Sequence, residues 1–251
     1  MKVFYFTATG NSLHVAKSIG GELYSIPQML KEKRHVFEDE AIGFVFPCHG
    51  LGIPRLVIDF MQKSQFAAKY FFAVMTYGNK AAAGLNHLAK IGKNTGICFN
   101  YTNEILMIDN YLPLFKIEDQ LTKEGSKNID EQLERIVSDI FTKQTKITQK
   151  GIATTAVSRV IYKLFTKHNY DKGDKNFIIK DNCNGCKVCE KVCPKSNIEV
   201  EGKPGFLHKC DVCYACIHHC PQRAIHLKSE RSSARFINQN VKLKEIIDAN
   251  N

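Results

Sequence analysis

The sequence contains no apolar run approaching the roughly 18 residues of a membrane-spanning helix, so a helical span is not expected. Its N-terminus passes from Met-Lys-Val-Phe-Tyr-Phe straight into a polar loop without the charged and apolar segments of a leader, and the expected setting is cytoplasmic. It has no GxGxxG stretch and no GxxxxGK[ST] loop, which removes the usual signatures of nicotinamide dinucleotide and nucleoside triphosphate binding. It shows no nucleic-acid-binding motif and no dedicated acid–base constellation. Cysteine is almost missing from residues 1–180, where only Cys48 and Cys98 of the ten occur. Acidic residues are also in short supply, leaving a formal charge of +10 on 251 residues. That length suggests one or two domains, and the uneven cysteine distribution favours two.

The other eight cysteines lie between Cys183 and Cys220 in two copies of one pattern. The first is Cys183, Cys186, Cys189, Cys193-Pro194. The second is Cys210, Cys213, Cys216, Cys220-Pro221, each member 27 residues after its counterpart, and the same interval separates Ile225 from Ile198 and Phe206 from Ile179. This is an internal repeat. Structural zinc sites need four ligands, usually split two and two, and fit the pattern poorly. A disulfide framework needs an oxidising compartment. The spacing C-x2-C-x2-C-x3-C-P is that of bacterial two-cluster ferredoxins, and residues 177–228 closely resemble that family. The resemblance implies one 4Fe-4S cluster on Cys183, Cys186, Cys189 and Cys220, and a second on Cys210, Cys213, Cys216 and Cys193. A piece of about 50 residues buries too little core to be stable alone, so the clusters are expected to act as staples. They would also lower the formal charge to about +6. The remaining basic excess suits a docking face for an acidic redox partner better than nucleic acid.

At the other end, residues 2–6 read as a strand, and Thr7-Ala8-Thr9-Gly10-Asn11-Ser12 as a loop opening a helix on which Leu13, Ala16 and Ile19 share one face. A helix N-terminus presents unpaired N–H groups and partial positive charge; the hydroxyls of Thr7, Thr9 and Ser12 add donors, and Gly10 would let the backbone approach closely. With no lysine present, the loop suits a single phosphate monoester. Here the chain resembles the flavodoxin family, whose FMN phosphate loop is [ST]-x-T-G-x-[ST] directly after the first strand; Thr7, Thr9, Gly10, Asn11 and Ser12 match it.

Strands are further predicted at residues 23–26, 41–46, 70–75 and 96–99, with helices at 55–63, after residue 79 and at 128–145. This alternation predicts a five-stranded parallel sheet wound on both faces, with ligands beyond the carboxyl ends of its strands. The loops Pro47-Cys48-His49-Gly50-Leu51-Gly52-Ile53-Pro54 and Thr76-Tyr77-Gly78-Asn79 fall at that rim. Pro47, His49, Gly50, Thr76, Tyr77, Gly78 and Asn79 are the candidate flavin contacts, Tyr77 or His49 either stacking on the ring or packing on neighbouring helices. Cys48 and Cys98 read as structural thiols, Cys98 within a strand. Residues 100–127, rich in large apolar side chains without a period, read as a lid or a seat for the ferredoxin piece, with Tyr101, Asn110 and Tyr111 as its notable members.

Jointly, the chain resembles flavodoxin–ferredoxin fusion proteins. The implied organisation is a flavodoxin-like FMN domain over 1–150, a connector with one short helix over 151–176, an α+β ferredoxin domain over 177–228 and a tail helix over 229–251. The implied function is electron transfer between two 4Fe-4S clusters and FMN, with redox proteins as partners. A flavin-dependent reductase of a quinone or nitro compound, and an iron–sulfur redox sensor, remain as alternatives.

Overall fold

The computed structural model describes residues 1–250. The first apolar run forms β1 (Lys2–Tyr5), whose alternation sends Val3 and Tyr5 to one face of the sheet and Phe4 to the other. α1 (Asn11–Ile19) and β2 (Glu22–Ser25) follow. α2 (Ile26–Lys31) carries Pro27 in its first turn, where a missing N–H costs nothing. Next come β3 (Val36–Glu38), β4 (Ala41–Pro47), α3 (Arg55–Lys63), β5 (Gln65–Ala67) and β6 (Tyr70–Tyr77). This half ends with α4 (Gly84–Asn94), β7 (Tyr101–Leu106), α5 (Ile117–Leu121), α6 (Ile129–Phe141) and β8 (Lys146–Ile147).

The central sheet has six strands in the order β2-β1-β4-β6-β7-β8, with every neighbouring pair parallel. Helices α1 and α6 cover one face and α2, α3 and α4 the other, enclosing two apolar cores. Full burial of side chains such as Phe4, Phe44 and Phe72 stabilises the fold by about 1.5–3 kcal/mol each. The sheet order reverses direction between β1 and β4, which opens a crevice beyond their carboxyl ends.

Two expectations are corrected. The sheet has a sixth strand, β8, too short to stand out in the sequence. The run at residues 96–99 is not a strand: the Ile97 N–H donates to Gly92 O at 2.8 Å and closes α4, and Cys98 is exposed rather than in the core. The next strand is β7, whose polar Thr102 is buried and accepts the Thr148 N–H at 2.9 Å. Tyr101 lies fully buried within the sheet and donates its hydroxyl to Asp139 at 2.9 Å, away from the crevice.

The connector holds one long helix, α7 (Ile152–Asn169), of 18 residues where a short one was expected. Beyond it are β9 (Phe177–Ile179), α8 (Val188–Lys191), β10 (Ile198–Glu201), β11 (Lys203–Phe206), α9 (Ala215–His218) and β12 (Ile225–Leu227). The last helix, α10 (Leu243–Asn250), returns to pack on α2.

Candidate cofactor site

The 27-residue repeat of the sequence is also a repeat of backbone geometry. Left-handed φ values recur at Gly185 and Val212 (68° and 50°), at Lys187 and Tyr214 (61° and 58°) and at Ser196 and Arg223 (46° and 48°). Successive N–H groups around such residues form concavities that favour anions. The Asn197 N–H points at Cys193 Sγ at 3.3 Å, and its counterpart, the Ala224 N–H, at Cys220 Sγ at 3.2 Å. The halves exchange partners. β12 pairs with β9, Ile225 opposite Ile179, and β10 pairs with β11, Ile198 opposite Phe206.

The cysteines exchange in the same way. Cys183, Cys186, Cys189 and Cys220 line one small cavity, and Cys193, Cys210, Cys213 and Cys216 line another. Among the described residues no three Cys, His, Asp or Glu side chains converge closely enough to hold a single metal ion. Four cysteines around one small cavity are the donor set that a cube of iron and sulfide would take, each sulfur on a different iron.

The three rim loops meet on a third cavity of about 460 Å³, within the usual range for small-molecule and cofactor sites. Of the twelve candidate flavin residues, Thr7, Thr9, Asn11, Ser12, Pro47, His49, Gly50, Thr76, Tyr77, Gly78 and Asn79 line it; Gly10 does not. α1 begins after Gly10 with no side-chain cap, so the first amide donors of the helix open towards this space. Ser12 Oγ lies 2.9 Å from Thr76 Oγ1, joining the first loop to the fourth strand of the sheet. At the start of α1 the donor set is hydroxyls, amides and helix backbone, and Thr7–Ser12 itself carries no lysine, which suits one phosphate monoester.

Two of the glycines expected to admit a ligand, Gly10 and Gly50, are also closely packed by the chain itself. Gly10 has φ +104°, and a Cβ there would sit 2.9 Å from Asn238 Cβ. At Gly50, with φ +56°, a Cβ would fall 2.4 Å from the Phe165 ring of α7. His49 is engaged by the same helix, its ring edge-on to Phe165 and its Nδ1 3.3 Å from Tyr170 Oη. Burial pushes His49 down to about 4, so it is neutral near pH 7.

The rest of the cavity wall comes from three later segments, of which residues 108–111 fall in the stretch expected to act as a lid or seat, while the walls from α7 and residues 212–214 were not anticipated. Residues 108–111 supply Asp109, whose carboxyl is raised above the usual range by burial, and Asn110, which donates to Thr9 Oγ1 at 2.6 Å. Ile161 and Phe165 of α7 form a second side. Val212, Cys213 and Tyr214 form the third, and Cys213 is therefore common to this cavity and to one of the cysteine-lined ones. Large apolar residues across 100–127 were the signal in the sequence, and Asn110 and Tyr111, singled out there, both line the cavity.

Hydrogen bonds hold the cysteine-rich part against the Thr7–Ser12 loop and residues 108–111. His219 Nε2 donates to Ala8 O at 3.0 Å and His218 Nε2 to Asn110 O at 3.0 Å. His218 Nδ1 accepts the Phe236 N–H at 3.1 Å, which fixes its neutral tautomer, and burial pushes this histidine down to about 3. Arg55 of α3 forms a two-pronged pair with Asp171, both contacts 2.7 Å, and also reaches Asp211. From the tail, the Asn238 N–H donates to Thr9 O at 2.8 Å and its side chain to Asn11 Oδ1 at 3.0 Å.

No protein-family model matches the chain. It is 41% identical over 63 residues to one component of the ion-translocating oxidoreductase complex of Methanosarcina acetivorans, covering 24% of each protein. It is 31% identical over 65 residues to the "Probable anaerobic dimethyl sulfoxide reductase chain YnfG" of Escherichia coli K12, covering 22% of this chain and 32% of that one. The chain thus spans about a quarter to a third of the length of the curated relatives it matches. A crystal structure of a suspected flavoprotein from Bacteroides uniformis aligns with 41% of this chain and 88% of its own at 17% identity, with a TM-score of 0.34. Among the described residues no helix is long and apolar enough to cross a membrane.

Proposed function

We propose that the chain is an electron-transfer protein of the flavodoxin–ferredoxin fusion type, holding FMN and two 4Fe-4S clusters. Thr7, Thr9, Asn11 and Ser12 would hold the FMN phosphate, with the loops at Pro47–Gly50 and Thr76–Asn79 around the ring. Cys183, Cys186, Cys189 and Cys220 would hold one cluster; Cys193, Cys210, Cys213 and Cys216 the other. When bound, the clusters supply single electrons and the flavin accepts one or two, so one-electron traffic can be matched to two-electron chemistry. Names of oxidoreductase components among the partial relatives support a redox role.

The observation that carries this reading is the position of Cys213 in the walls of both the large cavity and a cysteine-lined one. Each set has one buried cysteine, Cys189 or Cys216, but only the first has an exposed one, Cys186, so the two cysteine sets differ in access to solvent. Asn110, His218 and His219 fix the distance between the phosphate loop and the second cysteine set. These contacts join the redox sites into one unit.

The test reduces the clusters first and follows the flavin spectrum by stopped flow at several protein concentrations. Transfer inside the chain gives a first-order rate independent of concentration. A rate that scales with concentration, or flavin that stays oxidised against a favourable potential, overturns the reading. Released cofactor should be FMN, and Thr9→Asp should abolish its binding, because an anion in that loop opposes the phosphate in a partly desolvated site.

A further inference from the structure

α7 is unusual for a helix of 18 residues in having one buried side chain, Ser158. Its inward face is short. Ser158 Oγ accepts the Ala83 N–H at 3.2 Å, Tyr162 Oη donates to Ile53 O at 2.7 Å, and Phe165 lies over Gly50. The opposite face carries Val157, Val160, Ile161 and Leu164, spaced as one helical stripe and exposed by 58%, 59%, 41% and 51%. Leu114, 64% exposed, and Ile161 both line the large cavity, so the apolar stripe runs to that cavity's mouth.

The charges beside the stripe have one sign. Arg159, Lys163 and Lys167, four residues apart, follow its flank, and residues 150–170 contain no Asp or Glu. A contiguous exposed aliphatic surface marks a contact with a protein or a lipid phase. Aliphatic side chains beside a cationic row, without acidic groups, are what an interfacial helix presents to lipid, the apolar stripe entering the acyl boundary and the cations meeting anionic headgroups.

We propose that α7 seats the protein on an anionic bilayer surface, with Val157, Val160, Ile161 and Leu164 dipping into the interface and Arg159, Lys163 and Lys167 pairing with lipid headgroups. The mouth of the large cavity then opens at the membrane plane. This inference rests on the helix and its charges, not on the identity of any cofactor.

The intact holoprotein, prepared without oxygen, is sedimented with vesicles rich in phosphatidylglycerol and with vesicles of phosphatidylcholine alone. Binding to the anionic vesicles is expected, weakening as salt is raised. Replacing Lys163 and Lys167 by Glu should weaken it by at least about fivefold per cation, the equivalent of about 1 kcal/mol each. Leu164→Asp should also abolish sedimentation while cofactor content and circular dichroism stay unchanged, since the side chain is exposed. The proposal is overturned if the wild type sediments with neither vesicle, or if both variants sediment as the wild type does. It is equally overturned if Leu164→Asp only converts a dimer to a monomer in gel filtration without vesicles, which makes the stripe a contact between two copies. Retention on an acidic protein surface without any vesicle binding would assign the cations to a protein partner and overturn it too.

Discussion

At the scale of single residues, the site is sensitive where side-chain volume and backbone conformation conflict. Gly10 combines a φ of +104° with the close approach of Asn238. Gly10→Ala is expected to destabilise the fold by about 1–3 kcal/mol, visible as a lowered thermal midpoint before any flavin is added. An unchanged midpoint would mean that the tail yields at no cost. Asp109 gives the pH-dependent case. Burial raises its carboxyl, so the folded chain holds the proton better than the unfolded chain. Its contribution therefore favours folding most at low pH and declines as pH climbs from the ordinary carboxylate range, about 4, through the raised value. Asp109→Asn should be more stable than the wild type at neutral pH in urea unfolding, with the advantage shrinking as pH is lowered. An advantage that grows on acidification would contradict this sign. Eleven of the twelve flavin candidates met on one cavity because strand–loop–helix punctuation is local and visible. Gly10 was misjudged because its neighbour is Asn238, whose arrival nothing nearby announces.

Among the elements, the exchange of partners between the two cysteine repeats has a specific consequence. Cys193 follows the first motif in sequence but lines the cavity of the second, as β10 pairs outside its own repeat with β11. Cys193→Ala should remove iron from the site of Cys210, Cys213 and Cys216 and spare that of Cys183, Cys186 and Cys189. Iron analysis with electron paramagnetic resonance of the reduced protein reads the difference, and selective loss of the first-motif signal would contradict the arrangement. The repeat was legible because ligand chemistry demands cysteine at fixed steps. β7 was not: Thr102, Asn103 and Glu104 look like loop, and their burial or pairing depends on Thr148, Tyr101 and Lys150. Conversely, Ile97, Cys98 and Phe99 look like strand, but the Ile97 N–H is used in closing α4 and Cys98 is exposed. α7 was underestimated because most of its apolar residues face outward, which blurs the period that normally marks a helix.

For the molecule as a whole, the loop that opens the chain is finished by the tail. Asn238 reaches Asn11 across 227 residues, and the Lys17–Glu245 pair, 2.7 Å, draws α10 down on α1. A ribosome adding about 5–20 residues each second releases the Thr7–Ser12 loop early and then needs roughly 10–45 seconds more to deliver Asn238. During that interval the loop lacks its last hydrogen bonds, and Gly10 faces water instead of the tail. Nascent chains arrested before residue 238 should retain less flavin than chains released at full length, as scored by fluorescence of the isolated complexes; equal retention would show that the loop matures without its tail. On the proposed reading, cofactor capture would in that sense record the arrival of Asn238, because the Thr7–Ser12 loop leaves the ribosome well before the residue that completes it.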